Sequence, residues 1–148
     1  MREYAKILVI SKTDTCIGPM AAATLRRALT NEDVIVASRG ARVLFPEPIN
    51  EKAEAVMIGN GHKMEGYNAA ALTEDDIDDD TMLIAMSEDE YRIIAERFHQ
   101  PEHLYLLAGL IGEDVVLPEP YGQELVAYGQ CYETIERWMH LLAEALES

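Results

Sequence analysis

The chain has 148 residues with 12 Lys+Arg against 27 Asp+Glu, a formal net charge of −15, and that balance opposes nucleic-acid binding through phosphate neutralisation. A composition 49% hydrophobic and 26% charged is that of a folded globular protein of ordinary domain length, so residues 1–148 are expected to form a single domain. No run approaches the ~18 to 20 apolar residues of a membrane span, and Met1-Arg2-Glu3-Tyr4-Ala5-Lys6 leads into a short apolar run without a signal-peptide cleavage pattern, which reads as a cytoplasmic chain.

In chain order, Lys6-Ile7-Leu8-Val9-Ile10-Ser11 is a β-branched run that predicts a first strand. Gly18-Pro19 then opens an Ala- and Leu-rich stretch to Leu29 that suits a helix with Pro at its first position. Val34-Ile35-Val36-Ala37-Ser38 reads as a second buried strand, and Pro46 and Pro48 keep the following connector out of helix and strand. Asn50 caps a helix through Met57 that ends at Gly59-Asn60-Gly61. The acidic run from Glu74 to Asp80 reads as a solvated helix start and turn, since it lacks the glycine and terminal glutamate of a calcium loop. Thr81 to Met86 predicts a third strand, Ser87-Glu88-Asp89-Glu90 a capping box opening a helix to about Phe98, and Leu104-Tyr105-Leu106-Leu107 a fourth strand. From about Gly122 to Leu146 the residues Leu125, Tyr128, Tyr132, Ile135, Trp138, Met139, Leu142 and Leu146 recur at three- and four-residue spacing, one face of a long terminal helix. Strands alternating with helices imply an α/β fold, a three-layer αβα arrangement on a four-stranded parallel sheet, with ligands beyond the carboxyl ends of the strands.

Neither a cofactor nor a metal is indicated. Cys16 and Cys131, the two cysteines, form no CxxC pair, so neither a disulfide framework nor a zinc site is expected and both read as reduced thiols. His99 and His103 are four apart, but Pro101 between them opposes the helix that would put both on one face.

The loop Ser11-Lys12-Thr13-Asp14-Thr15-Cys16-Ile17-Gly18-Pro19-Met20-Ala21 lies between strand and helix, where backbone N–H groups converge into an anion cradle. It resembles the signature of the low-molecular-weight protein tyrosine phosphatases, V-C-x-G-N-x-C-R-S-P-M-A after the first strand. Cys16, Pro19, Met20 and Ala21 fix the alignment without a gap. The resemblance runs along the chain: Ser38-Arg39-Gly40 is similar to the family's S-A-G, Leu72-Thr73 to its L-T, Met86 and the acidic helix after it to V-M-T-x-E, and Leu117-Pro118-Glu119-Pro120-Tyr121-Gly122 to the D-P-Y loop.

The departures fall on the chemistry. Ser11 stands where the resemblance implies the nucleophilic cysteine, and Ile17 where it implies the phosphate-binding arginine. A thiol in such a loop can fall from a pKa of ~8.5 to roughly 3.5–7.5 and attack phosphorus without a base. A serine needs an adjacent base, and the loop holds no histidine. The arginine grips two phosphoryl oxygens, a role worth about 10³ to 10⁵ in rate in other phosphoryl-transfer enzymes; Lys12, a point charge on a flexible stem, is a poor substitute. Asp14 takes the place of the family's Asn and puts a carboxylate into a phosphate cradle. Glu119 keeps a carboxyl at the position that the resemblance assigns to the general acid, and Tyr121 is expected at the mouth of the site.

Three readings follow. The first is an impaired family member, a pseudophosphatase acting as a binding or regulatory module, with Ser11 and Glu119 at the catalytic positions and Lys12, Thr13, Asp14, Thr15, Cys16, Ile17, Gly18 and Tyr121 forming the ligand-binding surface. The second is a working phosphomonoesterase of altered chemistry that uses Glu119 as acid. The third is a thiol-redox or arsenate-reductase-like protein built on Cys16, whose place before a helix N-terminus would lower its pKa. Phosphorylated or other anionic ligands are expected to bind weakly and a basic protein partner fits the charge; no feature specifies an oligomeric state.

Overall fold

In a computed structural model, which describes residues 2–148, the four strands form one parallel sheet in the order β2-β1-β3-β4: β1 Lys6–Ser11, β2 Ile35–Gly40, β3 Thr81–Ala85 and β4 Leu104–Leu106. Met1, where the amino-terminal reading begins, lies outside the described residues. The helices are α1 Ile17–Ala28, α2 Glu51–Gly59, α3 Glu88–Arg97, α4 Leu107–Ile111 and α5 Leu125–Glu147. Parallel pairing requires crossover connections, and α1, α2 and α3 lie in them, while α4 and α5 follow the last strand.

The pleat sorts side chains between two faces. On β1, Ile7 and Val9 enter a core shared with Met20, Leu25, Tyr128, Ile135 and Met139 of α1 and α5, while Leu8 and Ile10 enter a second core with Leu83, Ile94 and Leu104. β3 divides likewise, Met82 and Ile84 to the first face and Leu83 and Ala85 to the second. The architecture is the expected α/β sheet covered on both faces.

Four local expectations are corrected. Helix α1 starts at Ile17, so Pro19 is its third residue rather than its first; a missing N–H is tolerated there because the whole first turn lacks intrahelical acceptors. The fourth strand stops at Leu106, and Leu107 begins the short helix α4, closed by left-handed Gly112 at φ 69°. The terminal helix starts at Leu125 instead of near Gly122, and Leu125, 51% exposed, stands off the apolar face that begins at Tyr128. In the α3 box Ser87 Oγ accepts from the Glu90 N–H at 3.4 Å, but the reciprocal bond from the Glu90 carboxyl is not formed among the described residues. By contrast, Asn50 caps α2 as expected, accepting from the Lys52 and Ala53 N–H groups at 3.0 and 3.1 Å. No helix among the described residues is long and apolar enough to cross a membrane.

Candidate functional site

Successive strands branch to opposite sides of the β1–β3 pair, and the loops leaving these two strands open a crevice at the carboxyl edge of the sheet. A cleft of about 280 Å³ lies there, lined by Ser11, Lys12 and Ile17 from the first loop, Met86, Ser87 and Glu90 from the β3–α3 junction, and Val115, Leu117 and Glu119 from the segment before α5.

The loop's carbonyls are drawn outward. Ser11 O and Lys12 O accept from Ala41 and Arg42 N–H at 2.9 and 2.8 Å, Thr15 O from Asn50 N–H at 2.9 Å, and Asp14 O from the Tyr67 hydroxyl at 2.7 Å. In a trans peptide the N–H opposes the C=O, so the N–H groups of Lys12, Thr13, Cys16 and the residue after Asp14 turn inward. The cradle of amide dipoles is therefore kept. Its floor is Ser11, 3% exposed, whose Oγ accepts from the Asp14 N–H at 3.2 Å. Gly18 stands where the resembled motif has serine, and a Cβ there would lie 2.5 Å from Ser11 Oγ. The loop has closed around the hydroxyl.

Asp14 shapes the loop from behind. It sits at φ 60°, in the left-handed region that Asp and Asn tolerate best among non-glycine residues. Its Oδ2 accepts from the Ala70 N–H at 3.0 Å, while Oδ1 has no hydrogen-bond partner. Burial raises its pKa against the hydrogen bonds that lower it. Its Oδ2 is held by Ala70, and Oδ1, which borders the same space beside Gly18 as Ser11 Oγ, makes no hydrogen bond to that hydroxyl, so no base is hydrogen-bonded to Ser11.

The cleft walls carry acid. Burial raises the pKa of Glu119, with Glu90 adding to it and Lys12 opposing; burial also raises Glu90, with Asp89 adding and Lys12 and Arg42 opposing. Glu90 is 9% exposed and its Oε2 has no partner. Sequence reasoning missed this residue because the third helical position of a capping box reads as a structural role. The signal that could have found it is its place directly after β3, the strand adjoining β1.

The expected residues separate into three groups. Ser11, Lys12, Ile17 and Glu119 meet at the cleft. Thr13, Thr15 and Tyr121 form a hydroxyl cluster on the loop's flank: Thr13 and Thr15 are joined at 2.9 Å, and the Tyr121 hydroxyl bonds to Thr15 and, at 3.4 Å, to Thr13. Tyr121 thus fastens its segment to the loop instead of lining the cleft. Asp14, Cys16 and Gly18 lie behind or beneath the loop. Cys16 is fully buried, and burial pushes its thiol pKa up, with Cys131 and Glu119 adding to the rise. The expected lowering at a helix N-terminus is corrected: α1 begins at the next residue, but the side chain enters the core. Asp79, Glu102 and His103 bring three ligand-type atoms within 4.8 Å of one another, at the opposite end of the sheet and largely exposed.

A family model described as "Low molecular weight phosphotyrosine protein phosphatase" matches residues 6–148. The chain is 28% identical over 131 residues to a probable low molecular weight protein-tyrosine-phosphatase, EpsP, of Ralstonia nicotianae, covering 88% of each chain. It is 24% identical over 135 residues to the Escherichia coli enzyme Etp, covering 91% of this chain and 90% of the other. Among solved structures, a YwlE arginine phosphatase mutant with a phosphorylated active-site serine superposes with a TM-score of 0.86 at 23% identity, over 97% of this chain and 96% of that one.

Proposed function

We propose that this chain, which belongs to the low molecular weight phosphotyrosine protein phosphatase family, is a catalytically impaired member that keeps the family scaffold as a binding or regulatory module. The observation that carries this is the cleft itself: its floor offers a hydroxyl, its arginine position offers Ile17, and its walls add Glu90 and Glu119. The amide cradle could still receive an anion. Transfer of a phosphoryl group needs more, namely a nucleophile deprotonated at neutral pH and positive charge on the equatorial oxygens. Loss of a nucleophile costs on the order of 10⁶ in a well-studied hydrolase, and such losses are not additive. Here no base is hydrogen-bonded to Ser11, and the near carboxyls repel a dianion.

Hydrolysis of an aryl phosphate by the wild type and by Ser11→Cys/Ile17→Arg, across pH 5 to 8, tests the reading. The wild type is expected to remain at the buffer rate while the double variant gains turnover. Ile17 lines the cleft, so a guanidinium at that position has a route to the cradle. Turnover by the wild type comparable to that of a competent phosphatase overturns the proposal.

A second reading draws on Glu119, a carboxyl on the cleft wall whose pKa burial raises, the direction a general acid requires. The YwlE mutant carries phosphate on its active-site serine, which supports phosphorylation of Ser11 as the first half of such a reaction. Glu119→Gln would then lower the wild-type rate; an unchanged rate dismisses this reading.

A further inference from the structure

We propose that the cleft walled by Glu90 and Glu119 holds the guanidinium of an arginine side chain presented by a basic peptide segment. The inference rests on the reading of the cleft as a non-catalytic binding site. Its first support is Glu90, a carboxyl more than nine-tenths buried whose Oε2 meets no donor, on the wall of an open cleft. A buried acceptor without a partner is costly; Oε2 itself has almost no accessible surface, so the Glu90 side chain turns into the cleft to meet an entering donor, which relieves that cost. Glu119 supplies a second carboxyl on the same cleft from a different segment.

The remaining walls choose among cations. Beside Ser11, Ser87 and the cationic Lys12, which the two carboxyls outnumber, Ile17, Met86, Val115 and Leu117 are apolar, suited to the flat, weakly hydrated faces of a guanidinium and to its methylene stem, and poorly suited to a strongly hydrated ammonium. A metal ion is the weaker fit: the group that brings three ligand-type atoms together lies elsewhere, at Asp79, Glu102 and His103. Lys12 and Arg42 oppose the rise in the Glu90 pKa, but neither is hydrogen-bonded to the carboxyl, whose Oε2 stays without a donor. A peptide is favoured over a free small molecule because the 80% exposed Val116 lies on an adjoining hollow that shares Met86, Ser87 and Val115 with this cleft, so apolar surface continues beyond it. The net charge of −15 draws basic partners to the molecule.

The test is calorimetric titration of the full chain with an acetylated, amidated pentapeptide of glycines and leucines bearing one central arginine. The same peptide with citrulline, a neutral isostere, is run beside it, and inorganic phosphate and manganese(II) are titrated separately. The arginine peptide should bind, and citrulline should weaken binding by at least about tenfold, as removing one side of a buried charged hydrogen bond does. Glu119→Gln and Glu90→Gln should each weaken it similarly, with thermal unfolding showing that both variants stay folded. Equal binding of the two peptides overturns the inference, as does manganese binding that vanishes in Glu90→Gln while the peptide stays silent. A chain inert to the peptide and to aryl phosphate overturns this inference alone; phosphate binding with hydrolysis and no peptide binding overturns the non-catalytic reading as well.

Discussion

At the scale of single residues, Asp14 and Glu90 share a condition: each is a buried carboxyl with one oxygen lacking a partner. Burial raises both pKa values, so the folded chain holds these protons more tightly than the unfolded chain between the ordinary carboxylate value and the raised one. Stability from this source is complete below the unfolded pKa and is lost as pH rises through the folded one. Replacing either residue by its amide removes the ionisation and the loss with it. Glu90→Gln should raise stability at pH 8 by about 1 kcal/mol, a few degrees in Tm, with a smaller gain near pH 4. Asp14→Asn should behave alike, since Asn tolerates φ 60° and keeps an oxygen for the Ala70 N–H. Thermal unfolding of both variants at the two pH values checks this; a gain that does not grow with pH would refute the ionised-carboxyl explanation. A stabilising change at Glu90 would also show that the fold does not need this carboxyl, which is expected of a group retained for a ligand.

At the scale of elements, the segment from Val115 to Tyr121 owes its position to contacts that sequence spacing does not display. It has no regular structure between Gly112 and α5, and the Tyr121 hydroxyl ties it to Thr13 and Thr15 on the first loop. Tyr121→Phe deletes that tie while leaving the ring. Amide hydrogen exchange over residues 115–124 should quicken severalfold with little change in Tm, because an exposed loop opens locally without the core; unchanged exchange would mean that the segment is held by its apolar residues. The same contrast explains what could be read in advance. β1 and β3 are continuous apolar runs because both of their faces are buried, and the α1 loop carries a motif whose parts are adjacent in sequence. Glu90 was not legible as a cleft residue, because it meets Ser11 only through the pairing of β1 with β3. Helix α4 escaped because Leu107 continues the apolar run of β4, and the turn at Gly112 that stops it gives only a weak signal. Cys16 shows the limit most plainly: its place before a helix start suggested an acidified thiol, but the direction of the side chain, into the core, decides its pKa.

At the scale of the whole molecule, salt should act in opposite directions on stability and on partner binding. A net charge of −15 makes the compact state repel itself, and added salt relieves that repulsion as the screening length falls to ~8 Å near physiological strength. Salt also weakens favourable pairs, so the sign depends on which loss is larger. Arg2–Asp80, Arg92–Asp89 and Arg137–Glu113 are exposed pairs, of a kind that contributes about 0 to 1 kcal/mol each. Arg39–Asp76 is more sheltered, with side chains 25% and 12% exposed, and is screened less. Repulsion among the excess carboxylates therefore outweighs what the pairs lose, and Tm should climb as sodium chloride is raised from low to physiological strength. Over the same range, association of a basic segment with the acidic surface should slow, because long-range attraction is screened, while the contacts inside the cleft persist and leave the dissociation rate nearly constant. Unfolding scans and stopped-flow binding in matched buffers separate the two effects. A Tm that falls with salt would mean that the surface pairs outweigh the repulsion, and a salt-sensitive dissociation rate would place the partner's charge on the open surface instead of between Glu90 and Glu119.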